Sequence, residues 1–271
     1  MLLPRVLTAF AGIPVIFILV HLGGFPYAVF IGVVILLSLH EYALILRLGG
    51  KHLQIFPLYA LGLLLAAASV FDRSPLHSAS GDNFLPLVFT VTAITPLVWE
   101  IFSRRLSMER AALTLFGVFF ISWNLVHFVH IRDLRPDGEA LTYMLLVAVW
   151  IMDTAAYFAG RSWGRNRLAE LVSPGKTWEG AVAGFVAAVV SVLFFRMLFL
   201  RDAMSLNAAL ASGAVIGTAG QLSDLAESVI KRCAGVKDSS NLLPGHGGIL
   251  DRFDSYIFLA PLLYYFLVLA G

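Results

Sequence analysis

The sequence predicts a polytopic all-α integral membrane bundle of about nine transmembrane helices, and three observations carry that prediction. Of the 271 residues, 59% are hydrophobic and 13% charged, and the mean hydropathy is +0.85. Soluble chains carry roughly 25% charged residues. The apolar residues also gather into runs of the length, about 20 residues, that a helix needs to cross a bilayer. Spans and short connections use up nearly all of the chain, so one membrane domain over residues 1–271 is expected.

Hydrophobic runs bounded by charge or by Pro/Gly punctuation place the spans at 6–22, 25–46, 53–71, 84–101, 111–130, 141–160, 178–199, 207–230 and 250–270. Arg5 precedes the first run, which lacks a small-residue cleavage site and is followed by further runs, so it reads as a span rather than a removed signal peptide. Only Gly23 and Gly24 separate the first two spans, which requires a tight hairpin. No soluble linker, low-complexity segment or internal repeat is visible.

With nine spans, the N-terminus and the 2/3, 4/5, 6/7 and 8/9 connections share one side. That side collects 14 basic residues and the other side 5, which accounts for all 19. The positive-inside rule then places the N-terminus and the 8/9 connection in the cytoplasm. The net charge of +2 gives no support to nucleic-acid binding, so basic patches are expected to meet phosphates or the anionic leaflet. The single Cys233 excludes an intrachain disulfide and an all-cysteine metal site.

The polar residues are concentrated. Ser228–Asp254 packs Lys231, Arg232, Lys237, Asp238, His246, Asp251, Arg252 and Asp254 into 27 residues, and the 17 residues after it carry no charge. Glu41, Asp153 and Asp224 lie inside or at the edges of spans, where an acidic residue costs roughly 2.5–3.5 kcal/mol and faces a cavity or a partner. For Glu41, an interhelical ion pair, with Arg47 nearby, stands beside the site reading. On the eighth span Asp224, Glu227, Ser228 and Lys231 fall at i, i+3, i+4 and i+7, one helical face, opposite Leu222, Leu225, Val229 and Ile230. Such a stripe points into the bundle.

Asp251 and Asp254, at i and i+3, open the last span and with Asp224 could supply a hard-cation site. Between them and the eighth span, Pro244, Gly245, Gly247 and Gly248 break the helix and leave backbone N–H groups to cradle an anion. Carboxylates for a metal beside cations and a glycine turn describe phosphoryl or nucleotidyl transfer. His246 stays open between a base, a phosphate donor and a turn residue. Asp153, Tyr157 and Gly160 share a face of the sixth span and lead to Arg161; Arg165 and Arg167 suit a cytoplasmic positive-inside loop. Gly175-Lys176-Thr177 is not a P-loop, because Glu170 stands where the first glycine belongs, but a Lys and a hydroxyl before a helix suit phosphate.

These residues resemble the signature of the CDP-diacylglycerol synthases, or phosphatidate cytidylyltransferases. The C-terminal pattern is carried by Ser228, Lys231, Arg232, Lys237, Asp238, Pro244, His246, Gly247, Gly248, Asp251, Arg252 and Asp254. Two upstream patterns are carried by Asp153, Ala156, Tyr157, Gly160 and Arg161, and by Ser173, Pro174, Lys176, Thr177, Glu179 and Gly180. The resemblance is specific over 153–254 and generic over the first 140 residues. It implies nucleotidyl transfer from CTP to phosphatidic acid, giving CDP-diacylglycerol and pyrophosphate, with Mg²⁺ and K⁺ as a second cation.

Carried over by motif, Asp224 and Asp251 would bind metal and, with Lys237 and Asp254, form the catalytic set. Asp153, Lys176, Thr177, Ser228, Lys231, Arg232, Asp238, His246, Gly247, Gly248 and Arg252 would bind CTP or lipid phosphate. Spans of 141–271 would then be catalytic and those of 1–140 supporting. Membrane lipid, and a second copy in a homodimer, complete the expected partners. A CTP-dependent polyprenol or phytol kinase and an ion-coupled transporter using Asp153, Asp224 and Glu41 are the rival readings.

Overall fold

A computed structural model describes residues 3–72, 84–237, 239–240 and 247–270. Ten α-helices and one short hairpin make up these residues. The first, α1 (Leu3–Leu22), turns into α2 (Gly24–Leu48) through Gly23 and Gly24, both at positive φ. A side chain at Gly23 would run into the Arg132 guanidinium, which instead bonds the Val20 and His21 carbonyls (2.5 and 3.1 Å) and so caps α1 with a cation. There follow α3 (Ile55–Asp72), α4 (Leu85–Ile101) and α5 (Met108–Gly117). A π-helical segment, Val118–Trp123, leads from α5 towards the short α6 (His127–Arg132).

The C-terminal half comprises α7 (Gly138–Trp163), α8 (Trp178–Phe199), α9 (Leu206–Cys233) and α10 (Leu250–Ala270), each packed on the next. Small residues let these helices approach closely, as membrane helices commonly do. A Cβ at Gly180 would lie 2.7 Å from the Ala156 carbonyl of α7, and one at Gly213 would lie 2.7 Å from Val189 Cα of α8. Helix α2 buries Tyr27, Ile31, Ile35, Leu39 and Tyr42 along one face, against α3, α6, α10 and the π segment.

The helices answer to the nine predicted runs, but six of them are long and apolar enough to cross a membrane among the described residues. Those six are α2, α3, the run from Met108 to Arg132, α7, α8 and α10. The described apolar part of α1 and all of α4 are shorter. Helix α9 is long enough at 28 residues but is not among the six, since Asn207, Ser212, Gly213, Gly217, Thr218, Gly220 and Gln221 leave it too little apolar ahead of its charged end. The chain is thus a multi-pass helical membrane protein, and its apolar surface fits: Val182, Val186, Val190 and Phe194 of α8 stand exposed at successive turns.

The all-α expectation needs one correction. The stretch between α7 and α8, read from sequence as loop, forms an antiparallel hairpin of β1 (Arg167–Ala169) and β2 (Ser173–Thr177), paired Arg167 with Thr177 and Ala169 with Ser173. Gly175, Lys176 and Thr177 therefore lie on a strand. Glu179 of α8 receives the Asn166 amide side chain (2.8 Å) at the hairpin's base, and Arg232 of α9 donates to the Val172 carbonyl (3.0 Å) at its turn.

Candidate active site

The C-terminal ends of α7 and α9 meet the N-terminal ends of α8 and α10, and the predicted polar residues converge there. Thr177 caps α8, accepting the Gly180 N–H at 3.2 Å, so its hydroxyl oxygen is engaged by the helix. The cap sets the strand-to-helix turn that carries the preceding residue, Lys176, to Asp224 of α9 (Nζ to Oδ2, 2.7 Å). Both side chains are a little over a quarter exposed. They line a cavity of about 620 Å³ with Asp153, Tyr157, Arg161 and Arg167. Arg161 donates to the Tyr157 hydroxyl at 2.9 Å.

The polar stripe of α9 faces inward as its spacing requires. Glu227, Ser228 and Lys231 are buried, whereas Leu222 and Val229 are exposed on the opposite side. Lys231 Nζ sits between two carboxylates, 2.6 Å from Glu227 and 2.7 Å from Asp251. The other Asp251 oxygen accepts from the Ser239 N–H, the Ser239 hydroxyl and the Gly248 N–H (3.1, 2.8 and 3.0 Å). Glu227 is fully buried, and Lys231 approaches only one of its two oxygens; the other, Oε1, receives no hydrogen bond among the described residues.

Asp254 interacts electrostatically with Asp224, Glu227 and Asp153, so four carboxylates from three helices repel one another. Its backbone is held in an unusual way. The Ser223 hydroxyl donates to the Asp254 carbonyl and accepts the Phe258 N–H (3.0 Å), standing inside the α10 ladder where these two groups would otherwise pair.

The remaining predicted residues are less central. Arg252 is exposed and interacts electrostatically with Asp153. Arg232 spends two of its N–H groups on the Val172 and Val236 carbonyls, which makes it a tie between hairpin and helix. Lys237 is exposed, with no ion-pair partner among the described residues. Gly247 has φ of 81°, and Gly248 is buried. Asp238, Pro244, Gly245 and His246 lie outside the described residues.

Four residues at or beside the site stand outside the set carried over by motif. Glu227 had a signal, its place on the stripe, but its burial depends on packing. Glu41 had the signal of a charge in a span, and its partners prove to be not Arg47 but Ser239, Ser240, Ile249 and Leu250. Ser223 and Ser239 had none.

Among the described residues no three His, Cys, Asp or Glu side chains form a ready-made metal cage. The donor set still fits a hard cation. It consists of carboxylate oxygens, with Glu227 Oε1 buried and without a hydrogen bond among the described residues, and Mg²⁺ typically uses one or two carboxylates and completes its shell with water and substrate phosphate. Lysines paired with carboxylates at and beside a cavity suit a polyphosphate substrate, whose negative charge the lysines could meet and whose metal the carboxylates could hold.

Comparison with known proteins agrees. The model of the cytidylyltransferase family matches residues 3–270. The phosphatidate cytidylyltransferase of Bacillus subtilis (strain 168) is 32% identical over 267 residues, covering 98% of this chain and 97% of that one. The phosphatidate cytidylyltransferase of Synechocystis is 31% identical over 292 residues, 98% and 96% of the two chains. That of Staphylococcus saprophyticus is 35% identical over 209 residues, 75% of each. The chain belongs to the cytidylyltransferase family.

Proposed function

We propose that the protein is a phosphatidate cytidylyltransferase, which condenses CTP with phosphatidic acid to give CDP-diacylglycerol and pyrophosphate. The observation that carries this reading is the meeting of Lys176 and Lys231 with Asp224, Glu227, Asp251 and Asp254 at one end of four helices, at a cavity that Lys176 and Asp224 line. The names of the relatives supply the substrates. A phosphate oxygen of the lipid attacks the α-phosphorus of CTP, the bond to the β-phosphate oxygen breaks, and pyrophosphate leaves with the electron pair. The nucleophile is already anionic, so positioning and charge neutralisation suffice.

In this reading Lys176 and Lys231 exchange their carboxylate partners for substrate phosphates. Arg161 and Arg167 bring further positive charge to the cavity wall, and Lys237 and Arg252 bring it to the α9–α10 side. Mg²⁺, held by Asp224 and Asp251 with Asp254 and Glu227 alongside and with K⁺ as a second cation, would neutralise charge on the polyphosphate. A nine-span topology with a cytoplasmic N-terminus would open the site to cytosolic CTP, and the 14-to-5 division of basic residues supports it. Incubating purified protein with labelled CTP, phosphatidic acid and Mg²⁺ tests the proposal. CDP-diacylglycerol and pyrophosphate are expected; CDP together with a phosphorylated lipid would replace transferase by kinase.

A further inference from the structure

From its contacts we infer that Glu41, on a helix of the N-terminal half, is a positioning residue of the active site. Its carboxylate is 1% exposed and takes four hydrogen bonds. One oxygen accepts from the Ser240 hydroxyl (2.7 Å) and the Ile249 N–H (2.9 Å). The other accepts from the Ser239 hydroxyl (2.9 Å) and the Leu250 N–H (2.7 Å). All four donors come from the two described pieces of chain that flank residues 241–246. Glu41 thus pins the end of the segment leaving α9 to the start of α10 and lies against the N-terminus of α10, where a negative charge is favoured.

The pin reaches Asp251 through Ser239. The Ser239 hydroxyl lies 2.9 Å from Glu41 and 2.8 Å from Asp251, and the Ser239 N–H also bonds Asp251. A hydroxyl has one proton, so Ser239 serves either carboxylate and keeps both close. Gly248 completes the junction. It donates to Asp251, and a Cβ there would lie 2.7 Å from the Glu41 carboxyl carbon. Glu41 has no place among the charges that face the cavity. Its action on the reaction is to fix where Asp251 and the Gly248 N–H stand, an outer support of the kind whose loss typically costs about 10–100-fold in activity or metal affinity.

The inference rests on Asp251 belonging to the transferase site. The test uses the full-length detergent-solubilised protein carrying Glu41→Gln, which keeps the size and removes the doubly accepting carboxylate. Hydrogen exchange at Ile249 and Leu250 is expected to quicken by about tenfold or more, with α7 and α8 unchanged. Turnover should fall by about 10–100-fold, the Mg²⁺ concentration for half-maximal rate should rise, and KM for phosphatidic acid should hold. Ser239→Ala should reproduce more of this loss than Ser240→Ala, because Ser239 alone also touches Asp251. Wild-type exchange, or wild-type turnover per folded molecule, in Glu41→Gln overturns the inference.

If that variant does not fold, the double variant Ser239→Ala, Ser240→Ala takes its place with the same expectations for turnover and Mg²⁺, and its normal turnover is equally fatal. Failure of the wild-type protein to form CDP-diacylglycerol would instead strike the proposed function, whatever the exchange at Ile249 and Leu250.

Discussion

Glu100 and Glu227 are both carboxylates buried in a membrane bundle, and they are treated in opposite ways. Glu100 of α4 is fully satisfied: Arg110 grips both oxygens at 2.7 Å, Gln54 adds a bond of 2.6 Å and the Ser107 N–H one of 3.0 Å. Glu227 of α9 has one ammonium on one oxygen and, among the described residues, no partner on the other. A buried charge that is paired and fully bonded fastens helices together, whereas one left short of partners raises the energy of the empty protein and gains by meeting a cation. The contrast separates scaffold from site without reference to motif. By the same measure Glu41, bonded four times, is scaffold, but its bonds end on the α9–α10 junction that carries Asp251.

The comparison can be broken at several points. The largest effect is expected where carboxylates meet the substrate. Asp224→Asn or Asp251→Asn should lower Mg²⁺-dependent turnover by about 100-fold or more in a folded protein, and near-normal rates in both would remove them from the site. Glu227→Gln should also cost about 100-fold in turnover. Its thermal midpoint, however, should fall less than that of a scaffold variant, because Lys231 keeps Asp251 as a partner. A fall in midpoint like that of a scaffold variant would erase the distinction drawn above.

Glu100→Gln should do the reverse. Stability should drop by about 2 kcal/mol as Arg110 loses its partner, read as a lower denaturation midpoint in detergent, while turnover per folded molecule stays unchanged. Lys176→Met should raise KM for CTP about tenfold, the value of one charge-assisted phosphate contact. Smallest of all, Glu109→Gln breaks the Lys51–Glu109 pair, whose side chains are 44% and 59% exposed. It should cost less than about 1 kcal/mol and affect neither measurement in kind.

Much of this was legible in the sequence, for physical reasons that also mark where legibility stops. Helix positions followed from apolar runs, since a bilayer demands about 20 such residues at a time. The inward stripe of α9 followed from helical spacing, because a charge on a spanning helix has few places to point. The hairpin did not follow: a three-residue and a five-residue strand rich in Gly, Pro and charge take their order from pairing with each other and from anchors on α8 and α9. Nor did the partners of Glu41, which lie 198 to 209 residues away in the chain. Local pattern reports which residue is out of place, and only packing reports what it holds.

The Ser223 hydroxyl carries one last consequence. Seated within the α10 ladder, it works as a key between two rods: α10 can neither twist nor slide past α9 without withdrawing it. Asp224 follows the key in sequence and Asp254 owns the carbonyl that receives it. The spacing of these two carboxylates is therefore keyed to a hydroxyl that belongs to neither of them.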